Sequence, residues 1–144
     1  MGARYGVNRT AVALSTTVDT LTITAPAGRS LKIWQIAIYG QGTASAANEV
    51  LISRSTAGTT PTAITPVPLN ADSAAATFTA ASTWSVTPTI GVTIRRIGMN
   101  ANGAAIILTF PPGMEIDIPG GGQVSFRSAV GTSSASFDLI VEQV

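Results

Sequence analysis

Glu115 and Asp117 stand two apart in the run Met114-Glu115-Ile116-Asp117-Ile118. On a strand, side chains two apart share a face, about 7 Å from each other along the backbone. Two carboxylates at that range could hold a cation or act on a glycosidic bond. The same run is also the ordinary alternation of a strand with one wet face, and that reading outweighs the other. Asp19, Glu49 and Asp72 add no metal-ligand spacing to the pair. A serine nucleophile needs an activating base. The chain has no His and no Cys, so only Lys32 or a carboxylate is available. Lys32 lies in Leu31-Lys32-Ile33-Trp34 with no serine three residues before it. Gly120-Gly121-Gly122 lacks the lysine and the hydroxyl residue of a phosphate loop and reads as a turn. Asn8-Arg9-Thr10 matches a glycosylation pattern, but no secretory signal accompanies it. These residues argue against an enzyme, against a metal site and against a cofactor.

The elements that would carry these residues are strands. Thr20-Leu21-Thr22-Ile23-Thr24 alternates, with Leu21 and Ile23 on one face. Ser30 to Tyr39 is a longer strand whose apolar phase shifts from Leu31 and Ile33 to Ile36 and Ile38. A bulge, or burial on both faces, accounts for such a shift. Further strands are expected at 48–53, 89–97, 104–110, 114–118, 123–128 and 135–142, with a short first one near Val12 and Leu14. In the last of these, Phe137, Leu139 and Val141 share a face that should point inward. Pro26-Ala27-Gly28, Pro111-Pro112-Gly113 and Pro119-Gly120 mark turns. Asn102-Gly103 signals a hairpin. The C-terminal part from Ala104 reads as a four-stranded meander. No convincing helix is present; the alanines between Ala71 and Ala81 are interrupted by Thr77 and Thr79.

This pattern predicts an all-β fold: an antiparallel β-sandwich of about eight strands in jelly-roll or Greek-key topology. A single domain spans 18–144, with a long crossing loop at about 55–88. Residues 1–17 form an N-terminal arm. The arm either orders on a neighbouring subunit or frays.

Charged residues are 10% of the 144-residue chain, against about 25% in ordinary soluble domains. The net charge is +1. No basic excess is available to neutralise phosphates, so nucleic acid is not an expected partner. No run approaches the length of apolar sequence that crosses a bilayer, so no membrane partner is expected either. The N-terminal run has no apolar segment long enough for a signal peptide. A surface built from Ser, Thr, Ala and Gly with net charge near zero tends to associate. All cations except Lys32 are arginine, which suits contact surfaces. Arg4, Tyr5 and Arg9 in the arm, with Arg95 and Arg96, are the candidate contacts to a capsid or a neighbouring subunit.

Arg54-Ser55-Thr56-Ala57-Gly58-Thr59-Thr60-Pro61, then Thr65-Pro66-Val67-Pro68-Leu69-Asn70 and Ala74-Ala75-Ala76, resembles a segment of small virion proteins of tailed bacteriophages. The ending is similar to the same group: a strand, Pro-Pro-Gly-Met-Glu at 111–115, a second strand, a glycine turn and two closing strands. The likeness spans residues 30–144 and leaves the arm uncovered. It implies a capsid decoration, or cement, protein. Such a protein is a homo-oligomer, often a trimer, bound to the major capsid protein on the outer surface of the virion. It would be made in the host bacterial cytoplasm and carry no catalytic residues. The alternative is a tail, baseplate or head-fibre component whose β-sandwich binds a receptor or carbohydrate, with Trp34, Tyr39 and Trp84 stacking on sugar rings.

Overall fold

The computed structural model describes residues 2–130 and 133–144. Met1 of the expected arm and residues 131–132 of the expected domain lie outside the described residues. The described chain is all-β and forms two antiparallel sheets. The first holds β1 (Ala3–Ala13), β3 (Leu31–Gln41), β6 (Val67–Pro68), β9 (Asn102–Thr109), β10 (Ile116–Ile118) and β12 (Ser134–Gln143). The second holds β2 (Leu21–Thr24), β4 (Ala47–Thr56), β5 (Thr59–Ile64), β7 (Thr79–Val86), β8 (Thr89–Asn100) and β11 (Gln123–Ser128). The first sheet runs β10, β3, β12, β1, β6, with β9 beside β10 on the same edge of β3. The second runs β5, β7, β2, β11, β4, β8.

The alternating residues fill one shared core. Leu21, Ile23, Val50, Ile52 and Val124 from the second sheet are fully buried, as are Ile33, Ile36, Ile38, Leu139 and Val141 from the first. Each such side chain contributes about 1.5–3 kcal/mol by leaving water. Phe126 and Phe137 meet edge to face across the sheets, with centroids 6.0 Å apart. Phe137, Leu139 and Val141 point inward as their alternation requires. The phase shift in β3 is a bulge: Ile140 pairs with Gln35 and Val141 with Ile33, which leaves Trp34 as the extra residue.

Residues 3–13 are not an arm. They form β1, which lies between β12 and β6. Tyr5 and Val7 are in the core. The alternation of β1 is masked because a charged residue, Arg9, takes an inward position after Tyr5 and Val7, and the other inward apolar residue before it, Ala3, is small.

Residues 55–88 are not a crossing loop either. β4 continues into β5, and β7 into β8, as one long two-stranded ribbon. Thr56 pairs with Thr89 and Thr59 with Val86 on the two sides of a break. At the break Ala57 and Gly58 take φ of +61° and +98°. The ribbon folds there and crosses the outer face of the second sheet, until β7 reaches β2. A Cβ on Gly58 would lie 2.7 Å from the Trp84 ring, so only glycine fits the fold. Most of β5 is exposed, so its sequence carries no apolar alternation to reveal it as a strand.

Two turn-based expectations also change. Gly103 does reverse the chain, with φ of +71°. However, β8 belongs to the second sheet and β9 to the first, so the two do not pair as a hairpin. The segment after Ala104 is not a meander, because β11 crosses to the second sheet between β10 and β12. Turn residues specify a reversal, not the sheet that receives the next strand.

Deleting residues 1–17 removes an interior strand and should abolish the folded state, read as loss of the β-sheet signal in far-ultraviolet circular dichroism. A truncated chain that keeps a cooperative melt would contradict this placement of β1.

Candidate functional site

The five expected contact residues separate into interior and surface groups. Tyr5 is 2% exposed. Its ring packs edge to face on Phe78 with centroids 5.5 Å apart. Its hydroxyl donates to the Ala74 carbonyl at 2.9 Å. Tyr5 therefore anchors the β6–β7 connection and offers no contact surface, which corrects the expectation.

Arg9 follows Tyr5 and Val7 in the inward phase of β1. It is half-buried, and its Nη1 donates to the carbonyls of Thr20 and Ser82. Burial holds the guanidinium below its ordinary value by desolvation. Arg9 thus ties the first sheet to the second at one end of the core. Arg54 does the same at the other end. It follows Val50 and Ile52 in the inward phase of β4, and its Nη1 donates to the Asp117 carbonyl in β10. The arginine phase was the signal for both roles, since each extends an apolar alternation by one step.

Arg4 points outward. Its guanidinium lies 4.6 Å from the centre of the Trp34 ring. The bulge delivers Trp34 to this face, where its Nε1 donates to the buried Glu142 carboxylate. The Gly2 amide donates to the other Glu142 oxygen at 2.7 Å. Arg4, Lys32, Trp34, Pro112, Glu142 and Val144 border a cleft of about 500 Å³.

Arg95 and Arg96 are both exposed on β8. Arg96 pairs with Glu49 at 3.0 Å. Arg95 lies over the Phe110 ring at 5.9 Å.

The two carboxylates have different surroundings. Glu115 accepts from the Gly113 amide at 2.7 Å and faces Lys32 Nζ at 3.9 Å. Asp117 is exposed on β10. Glu115 therefore fixes the turn that precedes β10.

A buried polar network lies on the outer face of the second sheet, and the sequence reading missed it. Asp19 accepts from Thr22 Oγ1 at 2.6 Å, from Ser125 Oγ, and from Arg127 Nε at 2.6 Å. Ser125 meets Ser55 at 2.7 Å, and Gln123 donates to Ser55 at 3.0 Å. The ribbon seals the group: Trp84 Nε1 donates to Thr22 Oγ1 at 3.0 Å, and Arg127 reaches the Pro88 carbonyl at 2.8 Å. Thr22, Ser55, Gln123, Ser125 and Arg127 look solvent-facing by alternation. Only the ribbon, invisible in the pattern, explains why Thr22 and Ser125 are buried. The serines and Asp19 are closed off from solvent, so the network holds the ribbon down and presents no reacting group outward.

No protein-family model, curated protein or solved structure matches the chain.

Replacing Arg9 with alanine leaves the Thr20 and Ser82 carbonyls without their donor. Stability should fall by about 2–3 kcal/mol, measured by urea unfolding, and an unchanged midpoint would contradict the tie. Replacing Asp19 with alanine should cost about 3–5 kcal/mol, because it strands the Arg127 charge. The same titration tests it, and a loss near zero would show that the network does not hold the ribbon.

Proposed function

We propose that this chain is a structural protein of a tailed-phage virion, which binds the outer surface of the capsid as an oligomer and stabilises the shell. The observation that carries this reading is the disposition of charge. Asp19, Glu49 and Glu115 are in ion pairs, and Glu142 is buried. Arg9 and Arg54 bond carbonyls, while Arg4 and Arg95 lie on aromatic rings. Many of the few charges are thus engaged within the molecule, while Arg29, Asp72, Asp117 and Asp138 stay exposed. What is left outside is mainly Thr, Ser, Ala, Gly and exposed aliphatic side chains. Such an exterior suits a protein whose surface is covered by copies of itself and by a lattice.

The wiring supports the same reading. With β5, β6 and β7 set aside, one sheet reads β1, β12, β3 and the β9–β10 edge, and the other reads β2, β11, β4, β8. We read this interleaved order as a jelly roll, an architecture used in viral capsid and lectin domains. The sugar-binding alternative has less support from the aromatic residues. Trp84, on the ribbon itself, turns its Nε1 inward to Thr22, and Arg4 lies over the Trp34 ring.

The mechanism is linkage. An oligomer that binds only the assembled shell stabilises it by its binding free energy. About 800 Å² per partner is enough for a specific contact. Several copies per oligomer, repeated over a shell, raise the avidity.

The purified chain should be an oligomer, a trimer on this reading, in solution. It should co-sediment with shells of the phage that encodes it and raise their melting temperature. A strict monomer that leaves shells unbound and no more stable would overturn the proposal.

A further inference from the structure

The two flanks of the sandwich are finished differently. One flank is formed by β8 and β9, joined through Ala101. Among the described residues β8 pairs only with β4, and β9 only with β3, so both have an open edge. Natural edge strands are normally blunted by proline or charge, because a free row of N–H and C=O groups invites association. β9 has neither, and β8 has no proline. Val92 is 76% and Ile107 57% exposed on these strands. Arg95 lies over Phe110 and has no acidic partner among the described residues.

The opposite flank is formed by β5 and β6, joined through Thr65 and Pro66. Pro61 and Pro68 sit within its strands, so its edges are poor templates for strand addition. It presents Val67 and Leu69, each 56% exposed. The turn that follows presents Asp72, exposed and without a cationic partner among the described residues. That turn is held in place. The Asp72 amide donates to Asn70 Oδ1 at 3.1 Å, the Ser73 amide to the Asn70 carbonyl at 3.0 Å, and Tyr5 to the Ala74 carbonyl at 2.9 Å.

We propose that the β8/β9 flank of one copy docks on the β5/β6 flank of a second copy, with Arg95 facing Asp72 and the exposed aliphatic side chains of the two flanks covering each other. Charge selects this arrangement over like-to-like docking, which would bring two cationic flanks or two acidic turns together. A contact between unlike flanks is heterologous. Each copy therefore gives one flank and receives the other, an arrangement that closes into a ring when the rotation between copies divides a full turn, as in the trimer proposed above. The proposal rests on the oligomeric part of the function proposed above and not on the shell.

The test is charge reversal and exchange on the full chain. Arg95→Glu and Asp72→Arg should each weaken self-association about tenfold or more, and the double variant should recover most of the loss. Sedimentation at several concentrations reads the assembly, and circular dichroism checks that both exposed sites leave the fold intact. Because the natural chain has no cysteine, mixing Arg95→Cys with Asp72→Cys gives a second measurement. The expected product is a disulfide between the two different variants. An oligomer indifferent to both reversals, or a double variant no better than the singles, or an absence of the mixed disulfide, would overturn the flank assignment and leave the oligomeric reading standing. A wild-type monomer at every concentration would overturn both.

Discussion

The structure depends on arginine side chains that turn inward at the ends of an apolar core. A β-sandwich closes along its strands by side-chain packing, but its two ends expose carbonyls where the sheets diverge. Arg9 and Arg54 occupy these ends from opposite sheets. Each continues an apolar phase, so the stem packs with the core while the guanidinium reaches carbonyls of the other sheet. A lysine would bring a single point charge and more tightly bound water to the same place. The preference for arginine in this chain thus has a structural cause in addition to any role at interfaces.

The same inward disposition governs the second sheet. Its outer face would be wet in a simple sandwich. Here the ribbon of β4–β5 and β7–β8 folds back over it, and the polar residues beneath become a closed network around Asp19. Burying Asp19 with Arg127 is costly in desolvation, and the three acceptor contacts on the carboxylate offset that cost. The gain is positional: Trp84 is fixed, the fold at Gly58 is fixed, and the ribbon cannot slide.

The strands that face the core were legible because alternation reports burial on one side. Leu21 with Ile23, and Phe137 with Leu139 and Val141, are of that kind. The bulge in β3 was legible from the change of phase after Ile33. What escaped was structure without an apolar stripe. β5 is polar and exposed, so nothing distinguishes it from a loop. In β1 Ala3, Tyr5 and Val7 are inward before Arg9 takes the next inward position, and Ala3 is too small to mark a stripe. Of the residues singled out for contact, Arg4, Arg95 and Arg96 lie on the surface, while Tyr5 and Arg9 face inward. Residue type marked them as contact-prone; only their phase in β1 told which contacts they make.

A charge-poor exterior and two open strand edges leave one part of the molecule unfinished on its own. Hydrogen–deuterium exchange of the β8 and β9 backbone amides, followed from dilute to concentrated protein, tests this most directly. The account predicts fast exchange along the open edges when dilute and slow exchange once copies are close enough to cover them. Exchange at these amides that stays the same across the whole range would contradict it.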